Sequence, residues 1–506
     1  MDIQTGSADT RPRKLPEPAL APGERWYAIW HKEAWFQLTK SLPMAVAGTI
    51  RSLTTILEVQ ALGHAGTNPL AGRSIALLVV NLTGYPFMYG LGGALESLCS
   101  QAFTGARGSR RIGVYVQHSI WLFLAANILI ALLWTHPNII FRLLATKDSE
   151  VLQYARTFLL FECLYFPCIV VQSNLKRFLL AQGLMRPTVY FEAVGLATMF
   201  VSLQILVWNP STSLGFIGVP ISSTIAYAAV LVANIVYIQH SACKSEWGRF
   251  TFTGFKQNAR QLTSLGVPCG ISGIASYGFA DMATIAVTFL SPDDLAIQAV
   301  LNSSKSAFTR TGSYLGMVVS NRVGNLLGAR KPTKSLLAAK VSITMTSAAT
   351  LVVAILMLSF QHTLAMFITK DSSLISGLIP LVPLLVIVVV FDTLSSVLTG
   401  VLRGQGRQAI AAVIRVISLY FVGVPLAYTL CFPLEYGLYG LWVGLSVGFV
   451  VICAAEGWLV LISDWHAEVK RSIERVNEEG AGVDSPLGES SPLGESSPLV
   501  HPNRLC

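Results

Sequence analysis

Residues 71–97 read AGRSIALLVVNLTGYPFMYGLGGALES. A helix needs roughly 20 apolar residues to cross the hydrocarbon of a bilayer, and this stretch supplies them. Its glycines and its proline suit a membrane helix, where neighbouring helices satisfy the backbone groups that Pro frees. The run GLGGAL at 90–95 offers a nearly bare surface for close helix contact. Working outward, comparable runs cover 41–63, 114–134, 151–172, 188–208 and 214–238 in the first half of the chain. In the second half they cover 262–290, 295–320, 336–360, 374–400, 409–431 and 437–462. The predicted fold is therefore all-α, with twelve transmembrane helices in two pseudo-symmetric six-helix bundles.

Composition points the same way. Hydrophobic residues make up 53% of the 506 and charged residues 12%, against roughly 25% charged in soluble proteins. A soluble chain so poor in charge could not cover its surface. The net charge of +9 would favour nucleic acid in a soluble domain. Here the basic residues fall between apolar runs and act as topology signals, so no nucleic-acid partner is expected. With the N-terminus taken as cytoplasmic, one side holds Arg107, Arg110, Arg111, Lys176, Arg177, Arg186, Lys244, Arg249, Lys256, Arg260, Arg330, Lys331, Lys334, Arg403 and Arg407. The other side holds little beyond Arg142, Lys147 and Lys370. That asymmetry places both termini in the cytoplasm.

The expected organisation is a cytoplasmic segment 1–40, a bundle 41–240, a cytoplasmic linker 241–261, a bundle 262–462 and a cytoplasmic tail 463–506. The first forty residues show no signal-peptide pattern. Trp26, Tyr27, Trp30 and Trp35 suit an interfacial helix. In the tail, SPLGES occurs at 485–490 and again at 491–496, a low-complexity pattern expected to be disordered. No CxxC pair, zinc spacing, HExxH, GxSxG or Walker pattern occurs. Neither an enzyme, a cofactor nor a metal site is expected.

The halves repeat one another at a shift of 223 residues. LLAQG ending at Gly183 meets VLRGQG ending at Gly406, and FTGAR with Gly105 meets LLGAR with Gly328. Six spans per half give both halves the same orientation. Parallel repeats of this kind build transporters whose substrate site lies between the halves. Ionisable side chains at mid-membrane cost about 2.5–3.5 kcal/mol on insertion scales, so each is a candidate. Glu58, Asp281 and Asp392 are the candidates for ion coupling, and Glu58 and Asp281 are related by the same shift. Glu162, Glu192, Lys305, Arg310, Arg415 and Glu456 are the others. A buried carboxyl takes up and releases a proton, or binds sodium when ionised. The competing role is a fixed ion pair: Lys305 or Arg310 with Asp281 or Asp392, and Arg51 with Glu58. The prolines at 43, 86, 167, 220, 268 and 425 bend spans or ease their packing.

The stretches AGRSIALLVVNLTGYPFMYGLGGALESLCSQAF (71–103), LAQGLMRP (180–187), SNRVGNLLGARKP (320–332) and FDTLSSVLTGVLRGQGRQ (391–408) resemble the multidrug and toxic compound extrusion family of transporters, in its eukaryotic and fungal form. The resemblance spans about residues 40 to 460. It implies two six-helix bundles around a central cavity and a secondary antiporter that exports organic solutes, xenobiotics or metabolites, in exchange for protons or sodium. A lipid-linked oligosaccharide flippase of the wider superfamily is the alternative. Asp392 sits where eukaryotic members carry a helix 10 acid, and Asp281 at the second acid of their helix 7 motif. Ser276 departs from the Glu common there, and Gly312 from the proline common in helix 8. Glu58 falls near a helix 1 acid of prokaryotic relatives. Asn81, Ser276, Tyr277, Lys305, Arg310 and Tyr420 are expected to line the cavity. If Lys305 or Arg310 faces it, an anionic or neutral solute becomes more plausible than a cation. The expected partners are a small organic solute, a proton or sodium ion and the lipid bilayer, with the chain a monomer in the vacuolar or plasma membrane.

Overall fold

The computed structural model describes residues 26–106, 110–137, 141, 149–368 and 372–477. Residues 1–25 of the N-terminal segment, Arg107, Arg142, Lys147, Lys370 and the SPLGES repeats lie outside the described residues. Among the described residues every regular element is helical. The N-terminal bundle comprises α1 (Trp26–Ala65), α2 (Thr67–Thr83), α3 (Tyr85–Gly105), α4 (Arg111–Thr135), α5 (Ser149–Ala181), α6 (Arg186–Leu203) and α7 (Gly218–His240). The C-terminal bundle comprises α8 (Phe255–Val287), α9 (Pro292–Gly328), α10 (Pro332–Ser359), α11 (Val382–Gln405), α12 (Gln408–Val416) and α13 (Gly437–Leu461). A polar helix, α14 (Trp465–Asn477), follows. Two helices extend through π-helical turns, α6 through Gln204–Trp208 and α12 through Ile417–Gly423 into Val424–Cys431. In α12 the turns lead into Pro425, which cannot donate its backbone N–H.

The second span is α2 plus α3, bent by 43°. Gly84 and Pro86 sit at the break. A Cβ on Gly84 would lie 2.7 Å from the Trp134 ring, whose Nε1 donates to Thr83 Oγ1 at 2.9 Å. The bend is thus a packed joint, set by a missing side chain and a missing N–H.

Among the described residues eight spans are long and apolar enough to cross a membrane by composition, and the bent pair makes nine. The other three, α1, α8 and α9, have 40, 33 and 37 residues but interleave polar side chains with apolar ones. Lipid cannot satisfy such groups. These helices meet one another's bundles: α1 packs on α9 and α10, and α3 packs on α8 and α9. Low hydropathy therefore marks the seam between the bundles. Gly90 of α3 faces Gly266 and Gly270 of α8 so closely that a Cβ on it would lie 2.8 Å from the Gly266 carbonyl oxygen.

At the face carrying the basic loops the seam is shut by hydrogen bonds between bundles. Ser97 Oγ donates to the Arg403 carbonyl (2.5 Å), Gln101 Nε2 to the Gly404 carbonyl (2.8 Å) and Thr104 Oγ1 to the Asn325 carbonyl (2.7 Å). The first span begins earlier than the apolar run at 41. Its helix starts at Trp26, and Glu33 in this extension pairs with Arg322 through two bonds of 2.9 and 2.6 Å. The linker also packs closely. His118 of α4 bonds the Thr251 carbonyl and Asn258, both at 2.9 Å, so this histidine is structural.

Candidate functional site

The charges of the N-terminal bundle neutralise one another. Arg73 enters from α2 and donates from Nε to Glu58 Oε1 and from Nη1 to Glu162 Oε1, both at 2.8 Å. All three side chains are buried. One guanidinium thus clamps α1, α2 and α5 together, using the fork geometry that suits Arg to paired carboxylates. Arg51 stacks on the Tyr227 ring at 4.6 Å and donates to its hydroxyl at 2.9 Å. Glu192 lies 3.8 Å from Arg51 and 3.7 Å from Lys176. Glu58 therefore stands in an ion pair, with Arg73 rather than Arg51 as its partner.

The C-terminal bundle is arranged differently. Arg415 of α12 lies 3.9 Å from Glu456 of α13 and hydrogen-bonds Thr399 (3.2 Å) and Ser276 (3.1 Å). Glu456 also accepts from Thr399 at 2.9 Å. Ser276 is thus a hydrogen-bond partner of this arginine. Asp281 is half-buried on α8, its Oδ2 is buried without a hydrogen-bond partner, and among the described residues no basic group lies within 4.0 Å of it. Asp392 of α11 likewise has no basic group within 4.0 Å among the described residues, although Lys305 is within its electrostatic reach. Lys305 Nζ rests 4.7 Å from the Phe449 ring centroid.

The remaining expected residues divide by position. Tyr277 stacks on Tyr89 of α3 with centroids 5.5 Å apart and hydroxyls 2.6 Å apart, so this pair crosses the seam. Arg310 of α9 reaches across to Thr55 of α1 at 3.4 Å and lies in the field of Tyr277. Tyr420 sits in the π-helical part of α12, near Asp281. Asn81 is partly exposed on α2. Asp281 and Asp392 occupy separate surroundings, one beside Tyr420 and the other beside Lys305.

Sequence reasoning missed Arg73 and Glu96, both inside the stretch that decides the second span. Glu96 is fully buried, 3.4 Å from Arg177 and 3.2 Å from Arg403. Arg177 is not a loop residue: it lies within α5, buried, its guanidinium pressed where Gly92 has no side chain. A signal was present, since a carboxylate directly after GLGGAL calls for basic partners and the glycines leave room for them.

A duplicated membrane bundle with buried charge and bare glycines along its seam defines a transporter. The sequence matches the MatE family over residues 43–205 and again over 268–429, one match per bundle, and the chain belongs to that family. It is 27% identical to an uncharacterized transporter of Schizosaccharomyces pombe, covering 89% of this chain and 83% of the relative. It is 26% identical to Protein DETOXIFICATION 14 of Arabidopsis thaliana, covering 88% and 92%. The crystal structure of the eukaryotic MATE transporter AtDTX14 superposes with a TM-score of 0.83 at 25% identity, covering 88% of this chain and 100% of the other. At 16% identity the Vibrio cholerae MATE transporter VcmN shares the fold, with a TM-score of 0.79 over 88% of this chain and 98% of the other. The protein is thus a multi-pass transporter and not an enzyme.

Proposed function

We propose that the chain is a secondary antiporter that exports an organic solute in exchange for protons or sodium by rocking one bundle against the other. The observation carrying this reading is the isolation of Asp281 and Asp392. Glu58, Glu96, Glu162, Glu192 and Glu456 each have an arginine within 4.0 Å, whereas these two have no basic group at that distance among the described residues. An unpaired carboxylate in a span is costly, and a bound proton or sodium ion removes that cost. Loss of the ion as the site changes sides then couples its gradient to movement. Glu58, tied to Arg73, couples only if that pair opens during transport, so Asp281 and Asp392 are the principal coupling residues.

The shut seam at the basic face supports a resting form closed toward the cytoplasm, with both termini on that side by the positive-inside rule. The test is transport in proteoliposomes under imposed proton or sodium gradients. Asp281→Asn and Asp392→Asn are expected to insert with normal thermal stability and to lose at least about tenfold of gradient-driven transport. Full transport by either variant would remove that acid from the mechanism.

A further inference from the structure

We propose that Arg310 and the Tyr89–Tyr277 pair form a subsite at the seam for an aromatic organic anion, a planar ring bearing a carboxylate or sulfonate. The inference rests on the antiporter reading only for the claim that the bound solute is the one transported.

Arg310 carries the argument. It lies within a membrane helix, yet among the described residues no carboxylate comes within 4.0 Å of it. Among the described residues its one hydrogen bond is the long one to Thr55, 3.4 Å, across the seam. A guanidinium has five N–H donors in a planar fork. In a protein that otherwise pairs its buried arginines, most of this fork is left to something else. Arg51, Arg73, Arg177, Arg403 and Arg415 each have a carboxylate within 4.0 Å. Insertion of an unpaired cation costs energy that a purely structural helix has no reason to retain.

The surroundings select the rest of the ligand. Tyr277 is within the field of Arg310 and stacks on Tyr89 from the opposite bundle, while Tyr85 lies 6.2 Å from Tyr89. Tyrosines contributed by both bundles offer ring faces and edges for a planar aromatic group, and their hydroxyls offer polar contacts. The acids do not pair with Arg310: among the described residues neither Asp281 nor Asp392 comes within 4.0 Å of it. Because Thr55 and Tyr89 belong to one bundle and Arg310 and Tyr277 to the other, a ligand here touches both halves, and its release follows from their separation.

The test uses the full chain with three probes. Naphthalene-1-sulfonate is aromatic and permanently anionic, cyclohexanesulfonate is anionic without the ring, and ethidium is an aromatic cation. Binding is measured in detergent, and transport in proteoliposomes. The wild type is expected to bind naphthalene-1-sulfonate more tightly than cyclohexanesulfonate. Arg310→Gln should weaken naphthalene-1-sulfonate binding at least about tenfold, the scale of one charge-assisted hydrogen bond. Arg310→Lys, which keeps the charge and guards against a folding artefact, should fall between. Tyr277→Leu should erase the preference for the aromatic sulfonate while sparing cyclohexanesulfonate. Unchanged sulfonate binding in Arg310→Gln, or binding of ethidium alone, overturns the proposal. Gradient-driven ethidium transport with no sulfonate binding would sink the anion subsite and leave the antiporter reading intact. Arg310-dependent sulfonate binding that no gradient can drive into transport would do the reverse.

Discussion

The two bundles share one scaffold and spend their charges in opposite ways. In the N-terminal bundle Arg73 joins Glu58 and Glu162, and Glu192 lies between Arg51 and Lys176. In the C-terminal bundle one pair, Arg415 with Glu456, is closed, while Asp281, Asp392, Lys305 and Arg310 stand without an ion pair within 4.0 Å among the described residues. Duplication thus preserved the helix arrangement but not the electrostatics. The first half behaves as a cross-braced body, and the second keeps charges available for an ion and a solute.

The comparison breaks most readily at Arg73. Replacing it by Gln leaves two buried carboxylates without their cation, and breaking a buried pair costs about 3–5 kcal/mol. The thermal midpoint of Arg73→Gln in detergent should fall well below that of wild type, whereas Asp281→Asn should leave it nearly unchanged and stop transport. Equal midpoints for the two variants would erase the distinction between the bundles. A smaller effect is expected where they touch. Gly90→Leu forces α3 away from Gly266 and Gly270, and overpacking typically costs about 1–3 kcal/mol. Transport should drop along with the midpoint, because the closed seam can no longer form.

Next in size is the last helix, which bridges the bundles at the basic face. Arg475 donates to Gln101 at 3.0 Å on one side and to the Gln405 carbonyl at 2.8 Å on the other, and Arg111 donates to the Val476 carbonyl at 2.6 Å. Arg475→Ala should cost about 1–2 kcal/mol, since these bonds involve a charged donor at the protein edge. It should also raise protease sensitivity at α14 before any span unfolds. The smallest effect is a pH dependence of the same helix. Burial holds the Glu468 carboxyl above its ordinary range, outweighing Arg471 and Arg407. The docked helix therefore binds that proton more tightly than the free helix does. Its docking is strongest below the ordinary carboxyl value of about 4.3 and weakens as pH rises through the elevated docked value. Hydrogen exchange of α14, corrected for intrinsic rate, should speed up over that window in wild type and stay level in Glu468→Gln.

Much of the fold was legible because a span is a local property. Each of the twelve apolar runs coincides with a helix or with consecutive helical segments, and the ends differ chiefly where helices continue past the apolar run into contacts with the rest of the protein, as at Trp26 for α1 and Ala181 for α5. The site was only partly legible. Asp281, Asp392 and Glu58 could be singled out as acids within apolar runs, and Lys305 and Arg310 as cations. Arg73 and Glu96 escaped because they sit near the ends of the run that decides the second span, where a charge resembles a boundary. The charge pattern alone reads Arg177 and Arg403 as loop residues, whereas both lie within 4.0 Å of Glu96.

By itself the sequence determined the twelve spans, the duplication and the presence of charges inside the membrane. Transfer from water to lipid depends on roughly 20 consecutive residues and on nothing distant. Which charge neutralises which was decided by the tertiary structure alone. Arg73 meets Glu162 at 2.8 Å across 89 positions of chain, and pairing energy depends on separation and burial, both of which exist only once the helices have packed.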